Sequence, residues 1–225
     1  SGVPPSTMKR AIAAEPSRYA SRMSTYEAVG FDLLTALLDT WSLWSDVAGG
    51  REAGMRWHAA SQARLRGTPY RAFDAIVREA GADAGIAPAT AEALLARWGE
   101  FEPWPDVPPV LARLAGLTTF IVTNCSVELG RRAAPRAGTF DLVVTAEEAG
   151  AYKPDPRPYR LALDRLGLDP SRTLFVAGSA HDVGGAARAG MAVYWANRGG
   201  APRPADATAL VEAPDLSRLA ELVGR

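Results

Sequence analysis

Short apolar runs, each closed by a small or polar residue, recur along the chain. They fall at Tyr26 to Asp32, Thr118 to Thr123, Leu142 to Thr145, Leu174 to Ala177 and Ala192 to Trp195. Each is too short for a buried helix and rich in Val, Ile, Phe or Thr, so each predicts a buried strand. Helix-like segments lie between the later runs. Val107 to Ala115 follows Pro105-Asp106, Pro158 to Leu166 closes at Gly167, and Asp182 to Ala189 closes at Gly190. Leu216 to Val223 follows Pro214, with Asp215 placed to cap it. Strands alternating with helices predict an α/β fold built on a doubly wound parallel sheet.

Between about Thr40 and Glu102 the rhythm changes to helical periodicity with no strand signal. Arg51 to Leu65, Tyr70 to Ala80 and Ala89 to Trp98 read as amphipathic helices, with Gly67-Thr68-Pro69 separating the first two. The expected organisation is a core of residues 25–39 and 103–225, with an all-helical cap of residues 40–102 inserted after the first strand. The cap and its hinges hold Trp41, Trp44, Trp57, Trp98 and Trp104. Turned toward the core, these rings would make a dry pocket for a small organic molecule. Residues 1–24 read as a separable, partly disordered extension, with Ser1-Gly2-Val3 as an expression remnant and Met23 as a late start.

Composition narrows the chemistry. Basic and acidic residues balance at 25 each, so no basic footprint argues for nucleic acid. No run of about 18 apolar residues points to a membrane span. The single cysteine, Cys125, excludes an internal disulfide framework and suggests a reducing, cytoplasmic setting. With two histidines, His58 and His181, a His/Cys zinc site is not expected. Lys153 is one of two lysines beside 23 arginines. A chain that meets its needs for positive charge with arginine keeps a lysine where a compact ammonium is wanted.

Ligands of open α/β sheets bind beyond the carboxyl ends of the strands. The first strand ends in Phe31-Asp32 and the second in Thr123-Asn124-Cys125-Ser126. Lys153 follows the third by a short loop, and the fourth runs into Gly178-Ser179-Ala180-His181-Asp182. Carboxylate, hydroxyl and amide, ammonium, then hydroxyl and carboxylate converge on one edge.

From Ala28 onward the chain resembles the haloacid dehalogenase-like superfamily, and within it the L-2-haloacid dehalogenase branch. Phe31-Asp32, Thr123-Asn124, Lys153 in Tyr-Lys-Pro-Asp-Pro, and Val176 to Asp182 followed by Gly185-Ala186 are similar to its four motifs. Pro105-Asp106-Val107-Pro108 and Asn197-Arg198 are similar to further segments of that branch. The resemblance implies Asp32 as nucleophile, Lys153 keeping it ionised, and Asp182 and Ser179 organising Lys153 or water. It implies Thr123, Asn124, Arg56 and Tyr159 as substrate-binding residues, with Arg56 or its rival Arg64 reaching in from the cap. His181, beside Asp182, reads as a helix-start residue or a compensating base.

The departures matter as much as the matches. Where phosphatases of the superfamily carry a general acid two residues after the nucleophile, this chain has Leu34. Where they carry a metal-binding acid early in the fourth motif, it has Gly178. Where the dehalogenase branch has Gly-Thr after its nucleophile, this chain has Thr35-Ala36, with Thr35 as an alternative hydroxyl. The branch's Ser and Asn in the fourth motif are replaced by Ala177 and Ser179. The leading expectation is metal-free displacement on a small carboxylate, with no cofactor, no nucleic acid or membrane partner, and room for a homodimer. A Mg²⁺-dependent phosphatase or phosphonate hydrolase is the first alternative, and a non-catalytic ligand-binding protein on the same fold is the second.

Overall fold

The computed structural model describes residues 26–66, 69–203 and 208–225. The proposed N-terminal extension lies outside the described residues, as does the Gly67-Thr68 part of the expected break between cap helices.

Six strands form one sheet: β1 (Ala28–Phe31), β4 (Thr118–Thr123), β5 (Leu142–Thr145), β6 (Thr173–Ala177), β7 (Ala192–Ala196) and β8 (Val211–Ala213). Their order is β5-β4-β1-β6-β7-β8, and every neighbouring pair is parallel. The chain crosses from β1 to β4 on one side and reaches β6 on the other, so β1 lies at the switch point where ligands of such sheets bind. Side chains alternate between the faces with period two. Val29, Phe31, Ile121, Leu174 and Val176 join one buried cluster. Ala28, Phe120, Val122, Phe175 and Ala177 join the other. Gly30 in β1 has no room for a side chain: a Cβ there would lie 2.4 Å from the Phe120 ring and 2.9 Å from that of Phe175. The two phenylalanines close over the glycine and hold the strand against its neighbours.

Helices cover both faces. On the second cluster's face lie α8 (Pro156–Leu166) and α9 (Ala180–Arg188), through Tyr159, Ala162, Val183 and Ala186. On the other lie α5 (Val107–Arg113), α6 (Val127–Ala137) and α10 (Leu219–Leu222). The short α7 (Ala146–Ala149) follows β5 and starts at a capping box between Thr145 and Glu148.

The helical insert comprises α1 (Thr40–Val47), α2 (Arg51–Arg64), α3 (Phe73–Asp83) and α4 (Pro88–Ala96). A two-residue antiparallel pair, β2 (Leu38–Asp39) with β3 (Glu102–Pro103), closes its entry and exit. Trp44 packs edge-on against Trp57 and Trp98, with ring centroids 4.8 and 6.2 Å away, so these rings form the insert's own core. They pack on each other before any of them can line a pocket. Asp215 does not cap the last helix: its carboxylate accepts from Ser217 N, and α10 begins at Leu219 with Arg218 at the cap position.

Candidate active site

Asp32 follows the last residue of β1, and its N–H continues the ladder to the Val176 carbonyl at 2.9 Å. The chain then turns sharply at Leu33–Leu37, a single π-type turn closed by Leu38 N–H on the Leu33 carbonyl. Asp32 caps this turn in extended conformation, and wide turns of this kind recur at functional sites. Its Oδ2 accepts three hydrogen bonds, from Thr35 Oγ1 at 2.7 Å, Thr35 N at 3.0 Å and Ala36 N at 3.2 Å. Its Oδ1 accepts one, from Lys153 Nζ at 2.6 Å. Oδ2 is therefore saturated, and Oδ1 is the oxygen that keeps a free lone pair.

Lys153 is buried, with 2 % of its side chain exposed. Its ammonium also donates to Asp182 Oδ2 at 3.1 Å, bridging the carboxylates that follow β1 and β6. Asn124 grips the lysine's main chain: Lys153 N donates to Asn124 Oδ1 at 2.7 Å, and Asn124 Nδ2 donates to the Lys153 carbonyl at 3.4 Å. The other Asp182 oxygen accepts from the Tyr159 hydroxyl at 3.0 Å.

The two carboxyls respond differently to the same cation. Burial raises Asp32, but the charge of Lys153 and the bonds from Lys153 and Thr35 outweigh it, so Asp32 sits below the ordinary aspartate value. Asp182 sits above it, because burial and the nearby Asp32 charge prevail over Lys153. Burial lowers Lys153, but the two carboxylates more than reverse that and hold it charged. Burial and Asp182 push the Tyr159 hydroxyl well up, so it stays a donor.

Asp32, Lys153, Asp182 and Tyr159 thus form one hydrogen-bonded group, although Tyr159 supports Asp182 where the resemblance implied a substrate contact. Ser179 is spent as a helix cap, its Oγ accepting from Asp182 N at 3.3 Å. Thr123 is fully buried, and its hydroxyl is paired with Cys125, accepting from Cys125 N at 3.4 Å and donating to its Sγ at 3.3 Å. His181 is an exposed residue at the start of α9.

Arg56 is not part of the group. It lies exposed on α2, 3.6 Å from Glu52, and reaches the Ala84 carbonyl at 3.5 Å. Arg64, its rival, is paired with Asp83 and lies 3.8 Å from Glu79. The side chain of the insert that feels Asp32 is His58, two residues beyond Arg56. Its ring stands edge-on to Trp44 at 5.2 Å and 87°. Burial lowers its pKa to about 4, against the opposing pull of the Asp32 charge, so the imidazole is neutral at pH 7. A histidine is rare in this chain, and one flanked by Trp57 on a predicted cap helix was the available signal.

The residues do not suit a hard cation. Such an ion wants six or more oxygens, and the carboxylates present, Asp32 and Asp182, are both bonded to Lys153. No cluster of three or more His, Cys, Asp or Glu fit for a metal occurs among the described residues. At Gly178 a Cβ would lie 2.2 Å from Thr35 Oγ1, and 2.5 Å from both Ala36 N and Asp32 Oδ2. An acidic side chain has no space there while the Leu33–Leu37 turn keeps this shape.

Comparison with known proteins identifies the family. Residues 10–190 match the family model described as haloacid dehalogenase-like hydrolase. The chain belongs to this family. It is 37% identical over 135 residues to (S)-2-haloacid dehalogenase 1 of Pseudomonas sp. (strain CBS-3), a match covering 57% of this chain and 58% of that one. The match therefore spans less than two thirds of that relative. Similarity to the phosphoserine phosphatase of Thermus thermophilus runs longer, at 32% identity over 200 residues, covering 84% of this chain and 74% of the other. The L-2-haloacid dehalogenase structure from Xanthobacter autotrophicus superposes with a TM-score of 0.81 at 24% identity, over 88% of this chain and 98% of that one. That likeness establishes the shared fold. No helix among the described residues is long and apolar enough to cross a membrane.

Proposed function

We propose that this protein is a metal-independent 2-haloacid dehalogenase in which Asp32 is the nucleophile and the helical insert is the cap over it. The observation that carries this reading is the Lys153 ammonium bridging Asp32 and Asp182 at 2.6 and 3.1 Å. It keeps Asp32 ionised for attack, and Gly178 leaves no room for the further carboxylate a magnesium site would need. Leu34 in place of a general acid supports the same choice, because a departing halide needs no proton whereas a departing alkoxide does.

In the first step Asp32 Oδ1 attacks the carbon bearing the halogen. A C–O bond forms, the C–X bond breaks, and halide leaves with the bonding pair, giving an ester on Asp32. In the second step water attacks the ester carbonyl of Asp32 and gives up a proton, the hydroxy acid's oxygen leaves and takes that proton back, and the Asp32 carboxylate is regenerated as the remaining proton passes to solvent. Asp182, the more basic of the two carboxylates, is assigned as the group that takes the water's proton and returns it to the leaving oxygen. The Asn124 and Thr123 side chains are engaged with Lys153 and Cys125. The substrate carboxylate is therefore assigned to the main-chain N–H of Asn124, which has no acceptor among the described residues. His58, neutral and too weakly basic to act as a base at pH 7, is proposed as an N–H donor to the leaving halide on the ground that its imidazole lies within reach of the Asp32 charge.

The test is halide release from a panel of 2-chloro and 2-bromo acids in excess chelator, run beside phosphate release from phosphomonoesters with Mg²⁺. Metal-independent halide release with inversion at carbon is the expected result. Magnesium-dependent phosphate release without halide release would overturn the reading.

A further inference from the structure

The peptide that follows Thr35 is held at both ends. Its N–H, on Ala36, donates to Asp32 Oδ2 at 3.2 Å. Its carbonyl, on Thr35, accepts from the indole Nε1 of Trp104 at 3.2 Å. The next carbonyl, on Ala36, accepts from Arg198 through Nε at 3.0 Å and Nη2 at 2.8 Å. A one-turn helix leaves its last carbonyls without partners, and here the chain supplies them from two distant segments. Arg198 is itself fixed. Its side chain is 6 % exposed, forks onto both oxygens of Asp106 at 2.9 Å, and lies 5.0 Å over the Trp104 ring. Asp106 is anchored in turn by Leu216 N–H at 2.8 Å.

Ala36 is fully buried, so its carbonyl needs a partner, and the guanidinium that supplies one is itself costly to desolvate. What this arrangement adds is direction. A peptide is planar, so fixing its oxygen fixes the line of its N–H. A donor on the carbonyl also polarises the unit and strengthens the N–H at the other end. The same clamp touches the hinge of the insert: Trp104 follows β3, its own N–H bonds the Leu37 carbonyl at 3.0 Å, and its ring packs 5.4 Å from Trp41 of α1.

We propose that Trp104 and Arg198 are positioning residues for the nucleophile, Trp104 acting through the planar Thr35–Ala36 peptide and Arg198 by fixing the next carbonyl of the same turn, so that Asp32 Oδ2 stays tied down and Oδ1 points at the substrate. This rests on Asp32 being the nucleophile of the reading above. Neither residue touches the substrate, so their effect is expected in kcat and not in KM.

The test uses Trp104→Phe, which keeps a ring and removes the N–H, and Arg198→Lys, which keeps charge and removes the fork. Both are measured in the full-length protein for kcat and KM of halide release, for thermal midpoint, and for amide hydrogen exchange at residues 35 and 36. Exchange at Thr35 and Ala36 should quicken while Val29 and Phe31 in β1 stay protected. kcat per folded molecule should fall about tenfold in Trp104→Phe and more in Arg198→Lys, with KM within about twofold, as expected for a misaimed group. Unchanged protection at 35 and 36 would overturn the proposal. So would faster exchange with normal kcat, which would make the clamp structural only. A parent protein that releases no halide would sink the dehalogenase reading alone, and amide exchange would then decide whether the clamp exists.

Discussion

On the sheet side of the site, Asp32 follows β1, Lys153 lies in the loop after α7 and Asp182 in the first turn of α9, with separations of 121 and 29 positions. Their carboxylate and ammonium groups, with the Tyr159 phenol, are joined in a continuous network. On the insert side, Arg56 and Arg64 of α2 are drawn off into ion pairs with Glu52 and Asp83, and His58, a neutral imidazole edge-on to Trp44, is the group of the insert that the Asp32 charge reaches. The first side is fixed by backbone topology, because a parallel sheet cannot shift one strand end without breaking ladders on both sides of it. The second is fixed only by how a helix is rotated. Charge is concentrated where the scaffold is stiff, and the adaptable side offers polarity without net charge.

The contrast predicts a steep hierarchy of losses. Asp32→Asn should lower kcat by at least about a thousandfold, since no other group can form the ester. Steady-state halide release checks this, and retained turnover would remove Asp32 from its role. Lys153→Met should cost about a hundredfold or more in kcat and about 3–5 kcal/mol of stability, because it leaves two buried carboxylates facing each other. Urea unfolding at two pH values reports the cause. With the cation gone, both carboxyls are raised, so the variant should recover stability as pH falls and they protonate. In the parent, Asp32 lies below its unfolded value, and its contribution is present above that value and lost on acidification.

The smallest effects fall on the insert and separate two neighbours. His58→Ala should lower kcat/KM about tenfold, whereas Arg56→Ala should stay within about twofold. Equal effects would erase the distinction drawn between the two sides. His58 also carries a pH signature. Its folded pKa of about 4 lies below the ordinary 6.5, so the folded state resists protonation. Stability from this residue is complete above pH 6.5 and lost as pH falls toward 4. His58→Gln should flatten that part of the stability profile, by on the order of 2 kcal/mol, in denaturant titrations between pH 7 and pH 4.5.

How much of this was legible in the sequence follows the same division. The bounds expected for β4 and β5 are those observed, because Val/Ile/Thr runs between polar breaks leave little freedom. The strand β8 was missed: it is a three-residue edge element, Val-Glu-Ala, paired on one side only. The helix α6 was missed because its buried stripe is mostly Ala and Gly and Pro135 lies inside it. At the site, positions at strand ends were readable, and the network joining Asp32, Lys153 and Asp182 is where they were expected. The partners of Thr123, Asn124, Ser179 and Tyr159 were not, since hydrogen-bond direction depends on neighbours distant in sequence. Arg56 lies outside the hydrogen-bonded group for a simple reason. Two residues along a helix is a rotation of about 200°, so Arg56 and His58 cannot face the same way, and only tertiary packing decides which one turns inward.

The absence of space at Gly178 sets an order on mutational history. A carboxylate introduced there alone would strike Thr35, the Ala36 amide and the Asp32 carboxylate. Any single-step route from this site toward a cation-dependent one must first reshape residues 33–37, and that intermediate would already have given up the donors that orient Asp32. Under the dehalogenase reading proposed above, the glycine therefore couples the shape of the 33–37 turn to the absence of a cation ligand at position 178.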